Sequence, residues 1–364
     1  MATTFKTITA NDVTNTRTLL HEAIPLTGTI ASGTYADENI KTFSHGMFES
    51  VYDYPFLSSS ANHIFDITYG YSANSSKSSS AANQNTKKIN VYNQMAQVLV
   101  GYDSDGNIQD FDQDGNIAAG GTKMQEAFFV NFSRLLSKDE IKKDSFRFTV
   151  VTGGMPSLFS ASGSLDTRVT IGDYGATNSY LVNSPAGEYS VLYTSSAEAN
   201  ANSGVGLLYY QAGVAVISSS IFGGNLNAGG VATPAADLGA TFLGPNGFPS
   251  SSYHNIATGS NIVDLANSLR NRVADIDFNN TVELNSTIYF CRANHNEFNY
   301  SANPTYLDSS QIRVKNTTSD NPVSYITTVG LYSSDNELLA VAKLSEPLKK
   351  DPNTELTIRV RLDY

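Results

Sequence analysis

Five carboxylates fall close together in GYDSDGNIQDFDQDGNIAAGG, residues 101–121: Asp103, Asp105, Asp110, Asp112 and Asp114. Oxygen ligands at alternate positions followed by a glycine are the chemistry of a calcium loop. Asp110, Asp112, Asp114 and Gly115 match the first half of such a loop, with Ile117 at the usual apolar place. Gly121 stands where the bidentate acid of the twelfth position is needed. The overlapping frame ends well on Asp112 but begins on Gly101 and keeps only Asp103 and Asp105. The same residues also spell two Asp-Gly-Asn turns, because Asp, Asn and Gly tolerate left-handed backbone. The stretch therefore carries two readings, a pair of turns or a structural calcium site. No other cofactor is expected.

Other reactive residues are scattered. His21, His45, His63, His254 and His295 form no His-x-x-x-His pair for zinc. His295 stands two residues from Glu297 in RANHNEFNY, an acid/base pair or a loop contact. The single cysteine, Cys291, sits in the apolar run STIYFCRAN and reads as a buried, inert thiol. There is no Gly-x-Ser-x-Gly elbow, phosphate loop or dinucleotide fingerprint. Two carboxylates can still meet in three dimensions for glycoside hydrolysis, but the chain has no Trp for a sugar platform. The expectation is a protein that is not an enzyme.

The elements that must position these residues read as β-dominated. Charged residues are 16% of the chain and Gly, Ser, Asn, Thr and Tyr are plentiful, which suits many turns and a polar, weakly charged surface. HIFDITYGYS, SFRFTVVTGG and EYSVLYTSS alternate as strands. VGLLYYQAGVAVISSSIF is apolar on both faces, the mark of a covered central strand pair. NTRTLLHEAI, INVYNQMAQVLVGY, TKMQEAFFVNFSRLL and NIVDLANSLRNRVADI carry helical spacing. Ser137 and Glu140 in SKDEIKK predict a capping box on a further short helix, with Asp139 and Lys143 paired four apart.

Two polar stretches predict exposed segments that dock on partners: a low-complexity arm at 72–88 and a Gly-rich loop at 223–252. SEPLKKDPNTE places Lys349 and Lys350 in a solvated turn or a phosphate patch. Near the C-terminus, Ser333-Ser334-Asp335-Asn336 supplies a turn between two strands, and ELTIRVRLDY alternates without a fault. That last strand predicts one face in a core and the other in solvent or on a partner.

The fold class expected is α+β, β-dominated, with antiparallel sheets in a sandwich-like body, a few short helices and long polar loops. Three regions are expected: a mixed N-terminal region at 1–150, a Gly/Ser/Asn-rich β region at 151–260, and a C-terminal helix plus antiparallel β unit at 261–364. A formal charge of −11 argues against nucleic acid as a partner. No apolar run approaches the length that crosses a bilayer, and MATTFKTITANDVTNTRTLL lacks the charged head and apolar core of a secretory signal. The expectation is a protein made in a cytoplasm and not inserted in a membrane.

Five segments belong together: KINVYNQMAQVLVGYD, FFVNFSRLLSKDEIKKDSF, VGLLYYQAGVAVISSSIF, EFNYSANPTY and YITTVGLYSSDNELLAVAKLSEPLKK. As a set the chain resembles virion structural proteins of contractile-tailed marine bacteriophages. Its closing stretch is similar to a strand pair of tail-collar fibre proteins. The resemblance implies a tail or baseplate assembly protein, with other tail and baseplate subunits as partners, several copies per virion, and the virion tail as its location. A fibre-attachment or receptor- and glycan-binding module, or a neck or connector protein, is the alternative. The resemblance carries no catalytic residues.

Overall fold

The computed structural model describes residues 5–25, 37–117, 120–151, 168–196, 203–222, 257–270, 273–300, 307–308, 311–312, 319 and 321–364. The 223–252 loop read from the sequence lies outside them. The chain forms a β-dominated protein with antiparallel sheets and a few short helices. It divides into two compact units, one of Leu20–Val282 and one of Met1–Leu19 with Glu283–Tyr364.

The larger unit is built on an eight-stranded sheet. Its strands are β2 (Ile40–Thr42), β3 (Glu49–Tyr52), β4 (His63–Tyr71), β5 (Glu126–Phe132), β9 (Leu181–Ser184), β10 (Gly187–Leu192), β11 (Gly206–Tyr209) and β12 (Val214–Ser218). They lie in the order β2-β3-β4-β5-β12-β11-β10-β9, and neighbouring strands run antiparallel. β6 (Glu140–Ile141), β7 (Arg147–Val151) and β8 (Arg168–Gly172) pair elsewhere, β7 with β8 and both β6 and β7 with the first part of β13 (Val273–Ala293).

Alternate side chains of the central strands enter two different cores. From β5, Phe128 and Val130 enter one core while Ala127 and Phe129 enter the other. On β12, Ala215 and Ile217 alternate with Val214 and Val216 in the same way. Both faces of the sheet are therefore dry, which explains why VGLLYYQAGVAVIS has no polar face. Helix α1 (Asn85–Leu99) supplies Val91, Tyr92, Ala96 and Leu99 to the second core. Helix α4 (Ile262–Arg270) gives Leu265, Ala266 and Leu269 to the first. Short helices α2 (Arg134–Ser137) and α3 (Ala176–Ser179) link strands.

The structure corrects three helix expectations. TKMQEAFFVNFSRLL forms strand β5 followed by the single turn α2, because a strand buried on both faces shows the same broad apolar run as a helix. SKDEIKK forms no helix. Lys138 adopts φ 55°, Glu140 and Ile141 are the strand β6, and Lys143 pairs with Glu188 at 2.5 Å and Glu140 at 3.8 Å. NTRTLLHEAI likewise lies in strand β1 (Val13–Pro25).

The arm at 72–88 is ordered by its own local bonds, with Ala73, Asn74, Ser76 and Ser79 exposed. Short backbone turns link Ser75 to Ser72, Ser78 to Ser75 and Ala82 to Ser79. Ser72 and Ser75 are buried, and the Ser75 hydroxyl donates to Glu126 Oε1 at 2.7 Å. Hydroxyls and backbone groups bonding locally give a polar stretch the order that apolar burial cannot. Its last residue, Lys88, already belongs to α1 and is fully buried, donating to the carbonyls of Ala257 and Ser260 at 2.7 Å each. Burial pushes the Lys88 ammonium down to about 8.

Helix α1 can sit on β4 because Gly70 has no side chain: a Cβ there would meet Lys88 O and Tyr92 N at 2.7 Å. Gly70→Ala is expected to cost about 1–3 kcal/mol, read as a lower denaturant midpoint. An unchanged midpoint would show that the helix is not held that close. For Lys88, the folded pKa lies below the ordinary 10.5, so the unfolded chain binds more protons from about pH 8 to 10.5. Stability should therefore rise with pH in that window, by up to about 3 kcal/mol. Guanidinium midpoints at pH 7.5 and 9.5 should show the rise in the wild type and not in Lys88→Met.

Candidate functional site

The aspartates of residues 101–121 fold as two small turns, closed by bridges between Tyr102 and Ile108 and between Asp112 and Lys123. Asp103 Oδ1 accepts the backbone N–H groups of Asp105 at 2.9 Å and Asn107 at 2.8 Å, which lowers its pKa. Asp114 Oδ1 accepts Asn116 N–H at 3.1 Å and its Oδ2 accepts the Asn116 amide at 2.5 Å. Asp112 is buried and pairs with Lys123; burial raises its pKa, and its hydrogen bond to Asp114 holds Asp114 low. Gly106 and Gly115 take φ 83° and 76°, the left-handed geometry these turns need. Asp105 is exposed and Asp110 half-buried.

Three of the loop carboxylates are engaged by protein donors. The Asp103 and Asp114 carboxylates bond within their own turns, and that of Asp112 pairs with Lys123. Among the described residues no group of three or more His, Cys, Asp or Glu side chains is placed to hold a metal ion.

A polar cluster that sequence reasoning missed lies inside the larger unit. Asp173 is fully buried and accepts Tyr210 Oη at 2.9 Å, Asp144 N–H at 2.6 Å, Phe146 N–H at 3.0 Å and Arg147 Nη1 at 3.1 Å. Ser190 Oγ and Tyr210 Oη lie 2.6 Å apart. Burial lifts the Asp173 carboxyl to about 6 despite these donors. The cluster ties β7, β10 and the residue after β11 to the end of β8. Four donors converge on the buried carboxylate, while Arg147 and Asp144 at its rim reach solvent. The GDYG sequence around Asp173 carries no motif that announces it.

Candidate pairs from the sequence separate in space. His295 Nδ1 faces Glu355 at 3.4 Å, whereas Glu297 pairs with Lys6 at 2.5 Å. Cys291 lies on β13 opposite Ile358 and is half-buried, not buried; burial, with Asp12 second, raises its thiol pKa. Lys350, read as part of a solvated turn, is fully buried.

The distinctive surface belongs to the smaller unit. It contains the first part of β1, the second part of β13, the hairpin β16 (Ser324–Tyr332) and β17 (Leu338–Lys350), and β18 (Leu356–Asp363). A further small pair, β14 (Leu307–Asp308) and β15 (Gln311–Ile312), also falls here. Neither apolar core of the protein contains a residue of this unit. Its buried apolar side chains, among the described residues, are Ile288, Ala293, Leu331 and Val360, each 6–9% exposed. On the apolar face of β18, Leu356, Ile358 and Leu362 are only half-covered, against the expectation of a core-facing side.

Polar ties hold the unit together instead. Lys350 Nζ donates to Asn299 Oδ1 at 2.6 Å and to the carbonyls of Asp351 and His295 at 2.9 and 3.2 Å. Arg292 pairs with Asp12 at 2.9 Å, and Arg17 pairs with Glu283. The tip of the hairpin is the turn read from the sequence: Ser333 Oγ accepts Asp335 and Glu337 N–H, and Asn336 takes φ 62°. Along the hairpin, Tyr325, Leu339 and Val341 are half or more exposed, with Leu338 and Leu348 also open.

No protein-family model, curated protein or solved structure matches the chain. No helix among the described residues is long and apolar enough to cross a membrane. What fold and surface define together is a β-rich protein with one well-packed unit and one unit short of a core.

Because the loop carboxylates are already satisfied, the melting temperature is expected to be the same in 2 mM calcium and in chelator. A rise of several degrees with calcium would overturn this reading of residues 101–121.

Proposed function

We propose that the chain is a structural subunit acting through permanent protein–protein interfaces, as a component of a bacteriophage contractile tail with the baseplate as its place. One observation carries the assembly part of this reading. Among the described residues the smaller unit leaves the two-stranded hairpin largely exposed and the apolar face of β18 only half-covered. An isolated hairpin is marginal in water, and large exposed apolar areas on an otherwise ordered protein mark surfaces that other chains cover. The resemblance of five segments to tail structural proteins supports the setting. The dry, doubly covered sheet of the larger unit suits a rigid part.

The test is particle composition. The chain is expected in purified tailed particles at fixed stoichiometry after high-salt washing, measured by quantitative mass spectrometry. Its absence from finished particles, or turnover of host envelope by the purified protein, would sink the proposal.

A further inference from the structure

We infer that the smaller unit is a self-association module, in which the hairpin β16–β17 and the strands β1, β13 and β18 are completed by the same elements of further copies of this chain. The inference rests on the assembly reading above and specifies its nearest partner.

The case for a covering layer comes from area. Thirteen large apolar side chains of the described part of this unit are exposed, among them Phe5, Phe298, Tyr325, Leu339, Val341 and Tyr364. At roughly half their surface each, they present on the order of 1,000 Å², comparable to the ~800 Å² per partner of a stable interface. Open strand edges point the same way. Among the described residues β18 pairs only with β13, β1 lies at the end of its sheet, and β16 and β17 pair only with each other. From Thr14 to Leu19 every residue of β1 is exposed, so this stretch lacks cover on both faces. Uncapped edges of this kind add strands from another chain readily.

The case for identical copies comes from charge. The whole chain carries −11, yet the smaller unit holds ten Lys and Arg against eleven Asp and Glu, leaving nearly all the excess acid on the larger unit. Within the hairpin Lys343, Lys349 and Lys350 balance Asp335, Glu337 and Glu346. A strongly basic or strongly acidic partner would find no complementary field there. Two copies would meet without like-charge repulsion, and Lys343 and Glu346, both exposed on β17, offer opposite charges to each other across a symmetric contact. A surface that is apolar, neutral and mixed in sign is complementary to itself.

The experiment uses the purified full chain and light scattering behind size exclusion, from 1 to 100 µM. A discrete oligomer is expected for the wild type. The double variant Leu339→Glu/Val341→Glu is expected to run at the monomer mass of 39.1 kDa. These two side chains are 69% and 50% exposed, so the charges should leave the subunit folded, with the same circular dichroism and unfolding transition as the wild type. A control, Leu135→Glu on the larger unit, 69% exposed there, should leave the oligomer intact. A wild type that stays monomeric throughout would overturn the inference. So would an oligomer or aggregate whose mass ignores the double substitution. A monomer that is nevertheless a fixed part of tailed particles would remove self-association and leave the structural role standing.

Discussion

The whole protein depends on one sheet that is dry on both sides. Side chains of β5, β11 and β12 point alternately into two cores, so each of these strands contributes to both at once. Burial on two faces roughly doubles the apolar area a strand removes from water, at about 25 cal/mol for each Å². It also demands that something cover each face. Helices α1 and α4 both pack against β4, and α1 comes close enough that only glycine fits at position 70. Where the chain must bury a cation or an acid under these layers, it supplies carbonyls to Lys88 and N–H and O–H donors to Asp173.

The smaller unit obeys the same chemistry with one layer missing. Its strands alternate correctly, its turn has the right residues, and its ionic and hydrogen-bonded ties are well formed. Yet hydrogen bonds and exposed ion pairs contribute little net stability, about 1 kcal/mol each. A fold made mainly of them sits near the margin unless a further surface removes its apolar residues from water. The contrast between 0–2% exposure at most core positions of one unit and the half-covered leucines of the other separates a finished body from an unfinished one.

Much of this was legible in the sequence where periodicity was unambiguous. β4, β10, the pair β11–β12, the C-terminal hairpin and its turn, β18, and helices α1 and α4 all follow from spacing and turn chemistry. Failures came where two structures share one pattern. AFFVNF is apolar throughout, which a helix side and a doubly covered strand both produce, and only tertiary cover decides between them. NTRTLLHEAI has helical spacing but joins β13, whose partner segments are far away in the chain. The serines of 72–88 looked unable to order, because composition counts apolar area and misses hydroxyl-to-backbone bonds. Asp173 could not have been singled out at all: its donors come from residues 144–147 and 210, which nothing in the sequence ties to it.

The smaller unit is made from two segments far apart in the sequence, Met1–Leu19 and Glu283–Tyr364. On the ribosome the first piece emerges long before the second, and the larger unit, a continuous stretch between them, can collapse in the interval. The smaller unit can therefore close only after the whole of the larger unit's sequence has been made.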